Sequence, residues 1–172
     1  MELDRIQRLI LLNQFEILNR LDPKSGDYGH YIEVLRRGYA VFYHEFLDSV
    51  DEVEMSEDDG DFVFEILEFY RTIENYKLRN PGDADIERHP WGTFPGFDGN
   101  HEAKFMALAR FMINDGGLYQ EQLQYSNKND NFNSNARVIP KYMSMLEKWK
   151  QRGREPEPNK DYILDILNAE DR

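Results

Sequence analysis

The chain predicts an all-α fold. Apolar residues recur every three or four positions almost throughout, and proline and glycine gather between those stretches. The 172-residue length suits one domain, since a chain of this size buries roughly 70% of its unfolded surface. The expected architecture is a single multihelical domain, residues 1–172, of about six helices with a long packed loop before the central helix.

The first helix carries Ile6, Leu9, Ile10, Asn13 and Ile17 at helical spacing. Leu11, Leu12, Phe15 and Leu18 widen its apolar face to most of the circumference, which predicts a central position. It ends at Leu21-Asp22-Pro23, and Ser25-Gly26-Asp27 makes a turn. A second helix follows, with Tyr28, Ile32, Leu35, Tyr39, Phe42 and Phe46 alternating gaps of four and three residues along one seam. Gly38 within it is expected to mark close approach of another backbone.

Between Gly38 and Tyr70 there is no Lys or Arg. Acids accumulate instead, including Glu45, Asp48, Asp51, Glu52, Glu54, Glu57, Asp58, Asp59, Asp61, Glu65 and Glu68. The Asp-x-Asp-x-Asp-Gly spacing of a calcium loop is missing, so the tract reads as solvated surface. Ser56 followed by Asp59 resembles a capping box and starts a third helix, whose core face is Phe62, Val63, Ile66, Phe69, Tyr70 and Ile73.

Asn80-Pro81-Gly82-Asp83 breaks that helix. The segment to Gly99 holds Trp91, Phe94 and Phe97 among prolines and glycines, the pattern of a packed Ω-like loop. Asp98 or Asn100 is expected to cap the fourth helix, which buries Phe105, Leu108, Ala109, Met112 and Ile113 and stops at Gly116-Gly117. Arg110 lies among apolar neighbours and needs a carboxylate or carbonyl partner, a structural salt bridge being favoured over an anion site.

The alternating Asn127, Asn129, Asn131, Asn133 and Asn135 do not complete a calcium loop, because Phe132 stands where glycine is needed and Val138 where glutamate is needed. Asparagines that tolerate left-handed backbone predict a well-turned loop instead. Pro140 suits the first turn of a fifth helix with Met143, Leu146 and Trp149 inside. After a polar connector, Asn159 caps a last helix carrying Tyr162, Ile163, Ile166 and Leu167.

Composition narrows the function classes. There is no cysteine, which removes disulfides, thiolate metal sites and thiol nucleophiles. A net charge of −12, from 33 acids against 21 Lys and Arg, repels phosphate backbones. The charged start Met1-Glu2-Leu3-Asp4-Arg5 is unlike a signal peptide, and no apolar run approaches a membrane span. A soluble cytoplasmic protein that binds neither nucleic acid nor membrane directly is expected.

Catalytic motifs are equally sparse. His30, His44, His89 and His101 show no His-x-x-x-His pairing, and there is no Gly-x-Ser-x-Gly elbow, Walker loop or dinucleotide fingerprint. No metal or cofactor is expected. The best catalytic combination is Asp98, His101, Glu102 and Arg110 as acid, base and anion holder. His101 and Glu102 would point about 100° apart on a helix, which argues against one shared site.

Arg8-Leu9-Ile10-Leu11 with Asn13-Gln14, Leu21-Asp22-Pro23, Gly96 to Ile113, Phe132-Asn133-Ser134 and Met145-Leu146-Glu147-Lys148-Trp149 together resemble the YfbU family. The phrase Gly-Phe-Asp-Gly-Asn-x-Glu-Ala is specific to it, and the likeness covers roughly residues 1–149, leaving 150–172 as connector and C-terminal helix. That family comprises small helical bacterial proteins without an established biochemical activity. The resemblance implies an all-α, intracellular, self-associating protein. Some members place a ribbon-helix-helix segment ahead of this domain, whereas this chain starts at the first YfbU-like helix, which further disfavours direct DNA binding.

The expected function is a non-catalytic, self-associating interaction or regulatory module, with an unknown protein partner besides its own copies. The aromatic seam Tyr28, Ile32, Leu35, Tyr39, Phe42 and Phe46 and the Ile6 to Leu18 face are its interface candidates. The alternative is a small-anion-binding sensor or hydrolase-like enzyme using Asp98, His101, Glu102 and Arg110.

Overall fold

A computed structural model describes residues 2–24, 26–47, 50 and 54–170. Among them the fold is all-α, with one isolated bridge, Phe97 to Asn133, and no strand. Eight α-helices lie among the described residues where about six were expected. The second expected helix divides in two, and the long loop contains a single helical turn. Ser25 of the expected turn and Asp48, Asp51 and Glu52 of the acidic tract lie outside the described residues. The chain clusters into two compact units, Met1–Glu54 and Met55–Arg172.

In the first unit, α1 (Arg5–Leu21) starts from a capping box. The Asp4 carboxylate accepts from the N–H groups of Ile6 and Gln7 at 2.7 and 2.8 Å, and the Gln7 side chain accepts the Asp4 N–H at 2.9 Å. No residue of α1 is buried, so its expected central position is not realised within the chain. Helix α2 (Tyr28–Arg37) ends at Gly38, which takes the left-handed cap conformation with φ +73°. That cap, not a continuing seam, leads into a 3₁₀ turn at Ala40–Phe42 and the short α3 (His44–Leu47). A Cβ at Gly38 would run into the Arg8 guanidinium, so the close neighbour is a side chain of α1 and not a second backbone.

Val34, Leu35 and Tyr43 form this unit's core, with Leu11, Leu12 and Phe15 of α1 packed against it. The Phe15 ring lies 5.3 Å from Tyr31 in a tilted contact and 5.6 Å from Phe46 in an edge-on one, measured between ring centroids.

The second unit is built on α4 (Glu57–Arg79), which buries Val63, Ile66, Leu67, Phe69, Tyr70 and Ile73. Glu57, Asp58, Asp61 and Glu68 on its other side face solvent. After it come the single turn α5 (Ala84–Glu87), α6 (Ala103–Arg110), α7 (Ile139–Gln151) and α8 (Lys160–Leu167). At Phe111–Asp115 the backbone widens to a π-turn, with the Gly116 N–H donating to the Phe111 carbonyl at 2.7 Å, so α6 is shorter than its apolar period suggests. Helix α7 buries Leu146 and Trp149 as expected, turns Tyr142 and Met145 inward beside them, and leaves Met143 exposed.

The loop before α6 is packed as expected. Phe94 and Phe97 are fully buried, 5.3 Å from the Tyr70 ring and 5.3 Å from the Tyr142 ring respectively. Gly96 permits this approach: its φ is +93°, and a Cβ there would enter the Phe132 carbonyl. Gly96→Ala is therefore expected to lower the unfolding free energy by about 2–3 kcal/mol, measured by urea titration, because it combines a disfavoured φ with a backbone collision.

Candidate functional site

Asp98 leads the tight turn that precedes α6. Its carboxylate accepts the Asn100 N–H at 3.0 Å and meets His101 Nδ1 at 2.5 Å. The Asn100 N–H first, and the imidazole second, hold the Asp98 carboxyl below its ordinary value. His101 keeps 51% of its side chain in solvent while that of Asp98 is 4% exposed. A buried carboxylate orienting an exposed imidazole can hold and transfer a proton.

The other two catalytic candidates are committed to backbone. Glu102 Oε2 accepts the Asp98 N–H at 3.0 Å, and Oε1 accepts the Val138 and Ile139 N–H groups at 2.9 and 3.0 Å. It thereby caps α7 from outside that helix, where an anion also complements the helix dipole. Arg110 Nε donates to the Asn131 carbonyl at 2.6 Å and Nη2 to the Asp130 carbonyl at 3.2 Å. Of the carboxylate or carbonyl partner expected, the structure supplies loop carbonyls and no salt bridge is seen among the described residues; the loop has positive φ at Asp130, Asn131 and Phe132 (49°, 50° and 64°).

The cap expected of Asp98 or Asn100 falls elsewhere. Glu102 occupies the N-cap position of α6, because the turn closes on Asp98 before the helix begins. Ser56 Oγ accepts the Asp59 N–H at 3.2 Å, and Asn159 Oδ1 accepts the Tyr162 N–H at 2.9 Å.

A second polar cluster escaped the sequence reading. Glu74 and Lys77 on α4 pair at 2.6 Å with side chains only 7% and 12% exposed. The Tyr125 hydroxyl donates to the same carboxylate at 3.0 Å. The group lines a cleft of about 500 Å3 together with Glu87, Thr93 and Lys128. Burial first, and the Glu74 charge second, push the Tyr125 phenol above its ordinary value, so it serves as a donor and not as a phenolate base. The three-residue spacing of Glu74 and Lys77 is visible in the sequence, but nothing local announces a tyrosine some fifty residues away.

The interface candidates separate by burial. Ile32 and Leu35 are interior and cannot serve a partner; Tyr28 and Phe46 are half-buried in ring contacts with Phe15; Tyr39 and Phe42 remain exposed. The larger exposed surface is on α1, where Ile6, Leu9, Ile10, Ile17, Leu18 and Leu21 are 42–77% exposed. Among the described residues no helix is long and apolar enough to cross a membrane.

These features sit in a recognisable sequence frame. Residues 1–170 match the YfbU domain. The chain belongs to the YfbU family. Among its relatives, the UPF0304 protein MJECS11 of Methanocaldococcus jannaschii is 43% identical over 169 residues, covering 97% of this chain and 99% of that protein. The YfbU match spans both compact units, and therefore includes the α1 stripe and the Asp98–Glu102 turn alike.

Glu102→Ala is expected to cost about 3 kcal/mol in urea unfolding, since it leaves three backbone donors without their acceptor. Asp98 gives a pH signature. Its carboxyl is depressed in the folded state, so its contribution is complete above the ordinary value of 3.8 and is lost as the pH falls through the depressed one. In Asp98→Asn, stability measured from neutral pH down to pH 2 should fall less steeply on the acid side than in the natural chain.

Proposed function

We propose that this YfbU domain is a non-catalytic interaction module that associates with copies of itself. The carrying observation is the exposed aliphatic face of α1. A helix apolar around most of its circumference ordinarily buries that surface, and α1 has only one side covered within its unit. An apolar patch of this extent on a soluble chain marks a contact surface. The −12 net charge supports a protein partner over a nucleic acid.

The reading as an anion sensor or hydrolase-like enzyme is weaker. It keeps the Asp98–His101 pair, but Glu102 and Arg110 are engaged with backbone groups and would have to leave them to hold a substrate.

Sedimentation velocity on the full chain across the micromolar range should show a dimer or larger species. Ile10→Glu should shift it toward monomer with an unchanged far-ultraviolet circular dichroism spectrum. A strict monomer throughout that range overturns the reading.

A further inference from the structure

The exposed aliphatic residues of α1 are arranged symmetrically about the point between Asn13 and Gln14. Ile6 and Leu21 stand equally far from it, as do Leu9 and Leu18, and Ile10 and Ile17. At 100° per residue, Ile6, Ile10, Ile17 and Leu21 fall within about 60° of one another, Asn13 and Gln14 lie to either side, and Leu9 and Leu18 form the two flanks. A two-fold axis perpendicular to a pair of antiparallel helices calls for this distribution, because it sets each half of one stripe against the other half of the second copy's stripe. A parallel pair makes no such demand.

We infer that α1 docks against α1 of a second copy, antiparallel, with the two-fold axis passing between Asn13 and Gln14. The inference rests on the self-association proposed above and specifies its surface and register. Ile6 then lies level with Leu21 of the second copy, and Ile10 with Ile17. Near the axis Asn13 meets Asn13 of the second copy on one side, and Gln14 meets Gln14 on the other. Each primary amide both donates and accepts, so like pairs with like, and central polar residues fix the register of an otherwise uniform seam.

Charge favours the antiparallel choice. The exposed Glu2 and Asp4 at the start of one helix come beside Arg20 and Lys24 at the end of the other. A parallel pair would set Arg20 level with its own copy and align the two helix dipoles unfavourably. The helix is about 25 Å long, and its six partly exposed aliphatic side chains offer on the order of 400 Å2 per copy. That lies at the small end of specific interfaces, so the pair is a reversible dimer that forms in the micromolar range.

The chain lacks cysteine, so single introduced thiols report unambiguously. Asn13→Cys, Ile6→Cys and Leu21→Cys, each shown by circular dichroism to keep the helical spectrum, are treated with a short bis-maleimide and run on a denaturing gel. In the inferred register Ile6 lies roughly 22 Å along the axis from its own copy and level with Leu21. Asn13→Cys should therefore yield covalent dimer alone. Ile6→Cys and Leu21→Cys should do so only when mixed. Covalent dimer from Ile6→Cys alone and none added by mixing would establish parallel pairing and overturn the inference. If the natural chain sediments as a dimer but Asn13→Cys does not cross-link, the contact lies elsewhere, and only the self-association reading survives. If the natural chain is strictly monomeric, both fall.

Discussion

Burying the Glu102 carboxylate requires hydrogen-bond donors for its oxygens, and three backbone N–H groups supply them. One belongs to the loop before α6 and two to the start of α7, so a single side chain fixes where that loop ends and where α7 begins. One turn into α7, the Tyr142 hydroxyl donates to the Gly96 carbonyl at 2.7 Å and ties the same loop a second time. Between these two ties Phe97 is held against Tyr142, and Phe94 against Tyr70. The core of the second unit is thus organised by a polar junction, two of whose donors lie in backbone that the α7 ladder leaves open.

The same junction engages residue types suited to catalysis with the surrounding backbone. Arg110 stabilises carbonyls of a loop that passes through three consecutive left-handed residues, a conformation that costs free energy unless its surroundings enforce it. Phe132, the last of the three, is fully buried, and its carbonyl accepts the Phe97 N–H at 3.1 Å. Asp98 closes the turn that delivers Glu102 to its donors. Each of these side chains answers a structural demand of the neighbouring backbone.

The helical period was sufficient to place α1, α4, α7 and α8, the cap at Asn159, and the burial of Phe94 and Phe97 in a packed loop. It could not show that Gly38 ends a helix, since a glycine at a cap and a glycine within a helix read alike until the backbone angle is known. The π-turn at Phe111–Asp115 preserves apolar spacing while changing the hydrogen-bond ladder, so periodicity passes over it. The capping role of Glu102 toward α7 joins residues 36 positions apart and leaves no local trace. Nor does the union of Glu74 and Lys77 with Tyr125.

Helix α1 is the most instructive disagreement. Apolar residues around most of its circumference point to a central helix, yet none of its residues is buried in the chain. The conflict disappears if the sequence describes the helix in its assembled environment. Leu11, Leu12 and Phe15 meet the core of their own unit, while the proposed antiparallel pairing would cover the opposite line from Ile6 to Leu21. Periodicity reports which faces of a helix avoid water, but it cannot distinguish cover supplied by the same chain from cover supplied by another. The symmetric placement of the exposed residues about Asn13 and Gln14 is what favours a copy of the same helix as the proposed cover of the second face: a chemically different partner would impose no mirror relation on the stripe.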